Sequence, residues 1–253
     1  MEYPKLINLL IFVVTLLPSL VKTQCPSKCS CSGDLAYCEN QFLTSIPNGF
    51  GSSIRRLYLG ANFIETINKG DLPDLPGLEI LGLQNNKLTY IQDEAFSGYT
   101  SLVQLHLNNN FLRRISNSTF KGLENVIILN LHNQLTDNSL FIDDYTFGNM
   151  SNLNELNLQN TNLKQITDHT LDGFKRGALY LQGQDIHRFS PYAFSGIHND
   201  ASIFIDSKTS RLCCCESKMA ISDTSLSLNC IKNDQFKDYR VYPLQFLQIL
   251  NEI

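Results

Sequence analysis

The sequence predicts an α/β fold: a solenoid with a parallel β-sheet on its concave face, an irregular or short helical convex side, and disulfide-capped ends. Two observations predict it. A block of 24 residues, in which two leucines flank one variable residue, recurs in phase from residue 54 onward. All eight cysteines lie in two clusters, 25–38 and 213–230, on either side of that array. Fixed periods of this length are typical of solenoids, because each repeat buries its apolar side chains only against its neighbours.

The period is clearest in two adjacent segments, "LEILGLQNNKLTYIQDEAFSGY" from Leu78 and "LVQLHLNNNFLRRISNSTFKGL" from Leu102. Both follow the pattern LxxLxLxxNxL. Side chains alternate along a strand, so the two leucines of each LxL point into the core while the residue between them faces out. Seven such strands are expected, around Leu57/Leu59, Leu81/Leu83, Leu105/Leu107, Leu129/Leu131, Leu156/Leu158, Leu179/Leu181 and Ile203/Ile205.

A polar residue follows each strand. It is asparagine in the first three repeats, at Asn62, Asn86 and Asn110. We expect its amide to pair backbone groups that the turn would otherwise leave buried without a partner. The later aligned residues are Gln134, Thr161, Gln184 and Lys208. This change predicts a less regular C-terminal half, and an insertion within Leu135–Phe147 predicts a bulge or a longer loop. The phenylalanines expected to fill the convex side are Phe96, Phe120, Phe147 and Phe194.

The repeat resembles that of leucine-rich repeat proteins over residues 54–208, which implies a horseshoe-shaped solenoid. The first cysteine cluster, "CPSKCSCSGDLAYC", is similar to the N-terminal cap of extracellular members, among them the Slit proteins, the small proteoglycans and the variable lymphocyte receptors. That resemblance implies the disulfides Cys25–Cys31 and Cys29–Cys38. Spacing alone allows three pairings, and a zinc site is the rival interpretation of close cysteines.

The second cluster, "RLCCCESK", departs from the common C-terminal cap of the family. Cys213, Cys214 and Cys215 are adjacent, only Cys230 follows, and the chain has no tryptophan. A cysteine pair directly after the last strand is similar to the start of the hinge in leucine-rich-repeat G-protein-coupled receptors. That similarity implies a receptor ectodomain without its membrane part, or a soluble relative.

The N-terminus has the features of a secretory signal peptide. Lys5 precedes the apolar run Leu6–Leu17, which is too short to cross a bilayer, and Val21 and Thr23 suit a cleavage site. An N-terminal anchor or a buried helix is the alternative. The predicted organisation is a signal peptide (1–23), a cysteine-rich N-terminal cap (24–52), a repeat array (53–210) and a C-terminal cap or hinge-like tail (211–253).

The sequence favours a binding protein over an enzyme. It has no nucleophile-elbow, zinc-protease, P-loop or dinucleotide motif. His106 and His132 fall on adjacent strands, but without a carboxylate at a fixed offset we interpret them as surface residues. All cysteines are expected in disulfides. We therefore predict no catalytic residue, cofactor or metal. The net charge of −4 argues against nucleic acid as a partner.

The residues that alternate with the core leucines are predicted to form the binding surface. They mix aromatic, apolar and neutral polar side chains, a composition suited to a protein or peptide partner. The predicted partner-binding residues are Tyr58, His106, Asn130, His132, Asn157, Tyr180 and Phe204. Binding through the convex side or loops is the alternative. Two glycosylation sequons, at Asn117 and Asn149, are expected on the outer surface, away from the concave face.

These predictions describe a secreted, non-enzymatic protein that recognises an extracellular protein or peptide. A ligand-binding receptor ectodomain and a structural protein of the extracellular matrix are the two competing hypotheses. Detection of the protein in the membrane fraction would support the receptor ectodomain. Copurification with fibrillar matrix would support the matrix protein.

Overall fold

The computed structural model describes residues 25–135, 139–190, 193–198 and 200–205. The predicted signal peptide and the cysteines Cys213, Cys214, Cys215 and Cys230 lie outside the described residues. The strands are β1 (Ser30–Ser32), β2 (Leu35–Tyr37), β3 (Arg56–Tyr58), β4 (Thr66–Ile67), β5 (Ile80–Gly82), β6 (Tyr90–Ile91), β7 (Gln104–His106), β8 (Arg114–Ile115), β9 (Ile128–Asn130), β10 (Phe141–Ile142), β11 (Glu155–Asn157), β12 (Gln165–Ile166), β13 (Ala178–Tyr180), β14 (Arg188–Phe189) and β15 (Ser202–Phe204).

One sheet carries the predicted solenoid. Its strand order is β1-β2-β3-β5-β7-β9-β11-β13-β15, and every pairing is parallel except that of β1 with β2. The register keeps equivalent leucines opposite one another, so that Leu81 pairs with Leu57 on one side and Leu105 on the other. The fourteen predicted inward residues are all buried. The predicted fold, with its seven repeat strands, is therefore confirmed.

The asparagine amides satisfy the backbone at each turn as expected. The Asn86 Oδ1 accepts from the Ile64 amide at 3.1 Å, and its Nδ2 donates to the carbonyls of Leu59 and Leu83 at 2.9 and 3.1 Å. Each amide thus joins its own turn to the preceding one. Equivalent bonds are made by Asn62, Asn110 and Gln134.

The pattern weakens at Thr161. Its hydroxyl donates to the Leu158 carbonyl of its own turn at 2.8 Å. Gln184 restores an amide in the next turn, because its Oε1 accepts from the Leu163 amide at 2.8 Å and its Nε2 donates to the Leu158 carbonyl. Lys208 and residues 136–138 of the predicted insertion lie outside the described residues.

The convex side is irregular. Turns alternate with the short parallel pairs β4–β6, β8–β10 and β12–β14, and the described part of the chain contains no helix. The Phe120 ring stacks between Phe96 and Phe147, with ring centroids 6.3 and 6.2 Å away. Phe194 is also buried, as predicted. These rings fill the wide side of each turn, where the leucines do not reach.

The N-terminal cap extends the sheet. Disulfides join Cys25 to Cys31 and Cys29 to Cys38, the pairing that the resemblance implied. The hairpin β1–β2 lies against β3, with Ala36 paired to Leu57. Ala36 and Cys38 are fully buried, so they take the places that two leucines take in a repeat. The cap therefore closes the core and also adds a rung to the concave face.

Candidate partner-binding face

The structure brings the seven predicted binding residues together on one face. Six of them form a single column across the sheet, because strand pairing aligns the outward residue of each strand with that of the next. In order, with Gly82 included, the column is Tyr58, Gly82, His106, Asn130, Asn157, Tyr180 and Phe204. His132 lies two residues beyond Asn130, at the edge of the column. All seven predicted residues are partly exposed.

An aromatic stack begins the column. The rings of Tyr37 and Tyr58 stack with centroids 5.2 Å apart, and Tyr37 is 49% exposed. Tyr37 was missing from the predicted site because the cap was not expected to join the sheet. The signal was present in "LAYC", where Ala36 and Cys38 alternate with outward residues as the leucines of a repeat do.

A second aromatic stack lies at the last strand that the structure describes. The rings of Tyr180 and Phe204 lie 4.7 Å apart with an interplanar angle of 9°. Burial, with a smaller contribution from the nearby Glu155 carboxylate, raises the pKa of the Tyr180 hydroxyl. Tyr180 is therefore a neutral hydrogen-bond donor at physiological pH. Each end of the column presents a flat, rigid, partly exposed apolar surface.

Glycines lower the surface beside the first stack. The Gln84 Nε2 donates to the Glu39 Oε1 at 3.0 Å, and this bond passes directly above Gly60. A Cβ at Gly60 would lie 2.6 Å from the Gln84 Nε2, and one at Gly82 would lie 3.1 Å from the Tyr58 ring. Side chains at these two positions would displace Gln84 and Tyr58, so glycine fixes the shape of this part of the face.

Amides and imidazoles form the middle of the face. The Gln159 Nε2 donates to the Gln182 Oε1 at 2.8 Å, and His132 hydrogen-bonds Asn130. Burial lowers the pKa of His106 and of His132, and His132 lowers that of His106 further. Both imidazoles are therefore neutral at physiological pH, and these amides and imidazoles offer donors and acceptors that carry no charge of their own.

The Arg56 cation, which faces outward on β3 two residues before Tyr58, is already paired. The Arg56 guanidinium lies 2.7 Å from the Asp34 carboxylate, a contact that raises the pKa of Arg56 and lowers that of Asp34. This pair leaves little field to attract a highly charged ligand. The arrangement therefore suits contact with neutral polar and apolar groups.

Other parts of the described structure are weaker candidates for a binding site than the concave face. A pocket of about 220 Å³ lies on the convex side, between Leu72 and Tyr99, which is smaller than most ligand sites. Asn117 and Asn149 are exposed on convex turns. Across the described ranges there is no group of three or more potential metal ligands, and no helix long and apolar enough to cross a membrane.

Sequence comparisons connect these turns with known proteins. A family model described as a BspA type leucine rich repeat region matches six copies, over residues 65–197 and 134–241. Leucine-rich repeat-containing protein 52 of Mus musculus is 44% identical over 165 residues, covering 64% of this chain and 51% of that protein. Leucine-rich repeat LGI family member 4 of Homo sapiens is 32% identical over 77 residues, covering 30% of this chain and 14% of that protein. A peroxidasin homolog of Caenorhabditis briggsae is 41% identical over 76 residues, covering 28% of this chain and 6% of that protein. The chain spans about half the length, or less, of these curated relatives.

Two solved structures share the architecture. The chain superposes on TLR13 from its complex with ssRNA13 with a TM-score of 0.55 and 27% identity, covering 61% of this chain and 21% of TLR13. It superposes on human 5T4, also called Wnt-activated inhibitory factor 1 or trophoblast glycoprotein, with a TM-score of 0.52 and 20% identity. That match covers 74% of this chain and 81% of 5T4, and at this identity it shows the fold alone.

Proposed function

We propose that this chain, which belongs to the family of BspA type leucine rich repeat regions, is a non-enzymatic protein. It binds an extracellular protein or peptide through its concave face. The observation that carries this proposal is the pair of aromatic stacks, Tyr37–Tyr58 and Tyr180–Phe204, at the two ends of one neutral column. The chain resembles extracellular and receptor leucine-rich repeat proteins, which supports a binding role.

The physical reason lies in the cost of association. Aromatic side chains bury a large area on binding and have few rotamers to lose, so they dominate many interfaces. Here each ring is already held by its stacking partner, and the sheet beneath is rigid. The stacks are about 24 Å apart, from Tyr58 to Tyr180, if five strand spacings of about 4.8 Å separate them. A partner would contact a preformed surface at two apolar ends and a hydrogen-bonding middle.

The proposal includes an extracellular location. Disulfides persist in oxidising compartments, and the two in the N-terminal cap support that location. We propose that residues 1–23 are a removed signal peptide and that Asn117 and Asn149 carry glycans on the convex side. TLR13 was crystallised with RNA, but we propose no nucleic-acid partner for this chain, because Arg56 is paired and the strands of the concave sheet carry no run of basic residues.

A receptor ectodomain is the second candidate. The mouse relative and TLR13 both extend well beyond the matched part, since the chain covers 51% of the first and 21% of the second. Immunoblotting of soluble and membrane fractions with an antibody to the repeat array separates the two. A small soluble glycoprotein supports the secreted protein, and a much larger membrane species supports the ectodomain.

The binding proposal is tested with a triple variant, Tyr58→Ala, His106→Ala and Tyr180→Ala. The matched control replaces exposed residues outside the concave face: Tyr90→Ala, Phe141→Ala and His187→Ala. The fluorescent wild-type protein is screened against cells that each display one extracellular protein, and both variants are then titrated on every cell that binds it. We expect the concave variant to bind at least about tenfold more weakly and the control to bind normally. Unchanged binding by a well-secreted concave variant would overturn the proposal.

A further inference from the structure

A second apolar surface runs along the side of the solenoid, outside the concave face. It consists of the residue that follows the buried polar position in four successive turns, and of the equivalent residue in the N-terminal cap, which follows the exposed Gln41. These residues are called here the lateral ridge: Phe42, Phe63, Lys87, Phe111 and Leu135. Backbone bonds hold these turns in sequence: the amides of Phe63, Lys87 and Phe111 each donate to the preceding turn, at 2.7 to 3.0 Å. The ridge therefore has the rigidity of the sheet beside it.

The ridge exposes large apolar side chains. Phe42 is 75% exposed, Leu135 57% and Phe63 38%. Phe42 and Phe63 stack on one another with centroids 5.9 Å apart. Phe42 also has a φ of 55°, a left-handed conformation that disfavours an aromatic residue, and Asn162 takes the equivalent place in a later turn with φ 57°. Neither the core nor the turn explains a phenylalanine here, and exposed apolar patches commonly mark interaction sites.

The ridge is separate from the proposed concave site. A ladder of asparagine amides lies between them: Asn133 donates to Asn109 at 3.0 Å, and Asn160 donates to Asn133 at 2.8 Å. The sequons at Asn117 and Asn149 lie on convex turns, so their glycans would leave the ridge uncovered. A partner on the ridge and a partner on the concave face would not compete for the same side chains.

Two features of the ridge select its occupant. The ring centroids of Phe42 and Phe63 lie 5.9 Å apart, close to the pitch of an α-helix, about 5.4 Å per turn, so a helix laid along these two turns would place one apolar side chain against each ring. Lys87 occupies the central rung, with its Nζ 4.5 Å from the Phe63 ring centroid. A second copy paired about a two-fold axis at the ridge centre would oppose Lys87 to Lys87, which disfavours self-association there.

We propose that the lateral ridge docks an amphipathic helix of a partner protein, with an apolar stripe along the ridge and a carboxylate facing Lys87. The helix buries the rings that the free protein exposes. The carboxylate of the helix pairs with the Lys87 ammonium group, whereas a second copy of this chain would place another Lys87 there. This proposal does not depend on what the concave face binds.

Two synthetic helices test it. Each has about 18 residues, roughly five turns, with one leucine per turn. One carries glutamates beside the stripe at its centre, and the other carries lysines at the same positions. Fluorescence anisotropy should show the glutamate helix binding the wild-type protein at least about tenfold more tightly than the lysine helix. In Lys87→Glu the preference should reverse.

Ridge and control variants complete the test. Phe42→Gln with Phe63→Gln should abolish binding of both helices, while Ile127→Gln, at an exposed apolar residue off the ridge, should leave it intact. Binding that survives the ridge variant, or that shows no preference reversal in Lys87→Glu, overturns the proposal. Light scattering of the wild-type protein gives a separate outcome. A dimer that becomes monomeric in Phe42→Gln with Phe63→Gln would make a second copy the occupant of the ridge and would also overturn the proposal.

Discussion

Asn110 and Gln134 donate to the same acceptor, the Leu107 carbonyl oxygen, at 2.9 and 3.1 Å. The two amides belong to successive turns, so one carbonyl joins a side chain of its own turn to one of the next. Asn86 and Asn110 share the Leu83 carbonyl in the same way. Shared carbonyls thus join the successive turns from Leu59 to Leu107, and glutamine can replace asparagine there because the amide is the group that makes the bonds.

Loss of one amide should destabilise the chain mainly through an unpaired donor. In Asn110→Ala, Leu107 and Leu83 keep the amides of Gln134 and Asn86, but the buried Leu88 N–H loses its acceptor at 3.0 Å. An unsatisfied buried donor costs about 1–3 kcal/mol, and the lost hydrogen bonds add to it. Urea unfolding should show a total loss of about 2–3 kcal/mol. Asn108→Ala, at a half-exposed neighbour, should stay within about 0.5 kcal/mol of wild type; equal losses in the two variants would contradict this account.

The concave imidazoles should make stability fall in mild acid. Burial lowers the pKa of His106 and of His132, so the unfolded chain binds protons at a higher pH than the folded one. Stability should be highest above the unfolded pKa, about 6.5, and should fall as the pH drops towards the folded values. Both groups are partly exposed, so the effect is modest.

Thermal unfolding at about pH 7.5 and about pH 5.5 measures this effect. The double variant His106→Gln, His132→Gln should lose less stability between the two pH values than the wild type. Gln182→Ala, a non-titrating change on the same face, should keep the wild-type difference. A double variant with the wild-type difference would show that these imidazoles do not carry it.

The two disulfides of the cap should contribute unequally. Cys38 is fully buried in the place of a repeat leucine, and its amide donates to the Tyr58 carbonyl at 2.8 Å. The double variant Cys29→Ala, Cys38→Ala should lower the free energy of unfolding by about 2–4 kcal/mol and loosen the Tyr37–Tyr58 stack. The variant Cys25→Ala, Cys31→Ala opens a shorter loop between less buried residues and should cost less. Chemical unfolding measures the loss of stability in each variant, and hydrogen exchange across β2 reports on the packing of the cap. A larger loss in the Cys25→Ala, Cys31→Ala variant would contradict the assigned roles.

Periodicity was enough to predict most of the fold. The LxL spacing predicted the strands and their inward residues, because leucine pairs that recur at a fixed interval are buried together only when equivalent strands stack. The same alignment placed Tyr58, His106 and Tyr180 in one column, since in a parallel sheet of this register equivalent residues of successive repeats lie side by side. The replacement of Asn by Gln134 looked like decay in the sequence, whereas the structure shows that the longer amide makes the same bonds.

The features that sequence reasoning missed depend on contacts between different parts of the chain. Tyr37 joins the concave face only because the cap hairpin adds to the sheet, and the cap does not have the leucine pattern. Phe42 lies in the cap, before the first leucine repeat, so the repeat pattern does not mark it. Stacking of Tyr37 on Tyr58 and of Phe42 on Phe63 is a property of neighbouring turns, which a single repeat does not display.

A glycan placed on the concave face would block a partner from reaching it. Gln159→Thr creates a sequon at Asn157, in the middle of the column, and Ile127→Thr creates one at Asn125, an exposed residue before β9. Both glycoproteins are purified from the medium and titrated on cells that bind the wild type. We predict that the glycan at Asn157 abolishes binding and that the glycan at Asn125 does not. Wild-type binding by the Asn157-glycosylated protein would contradict recognition through the concave face.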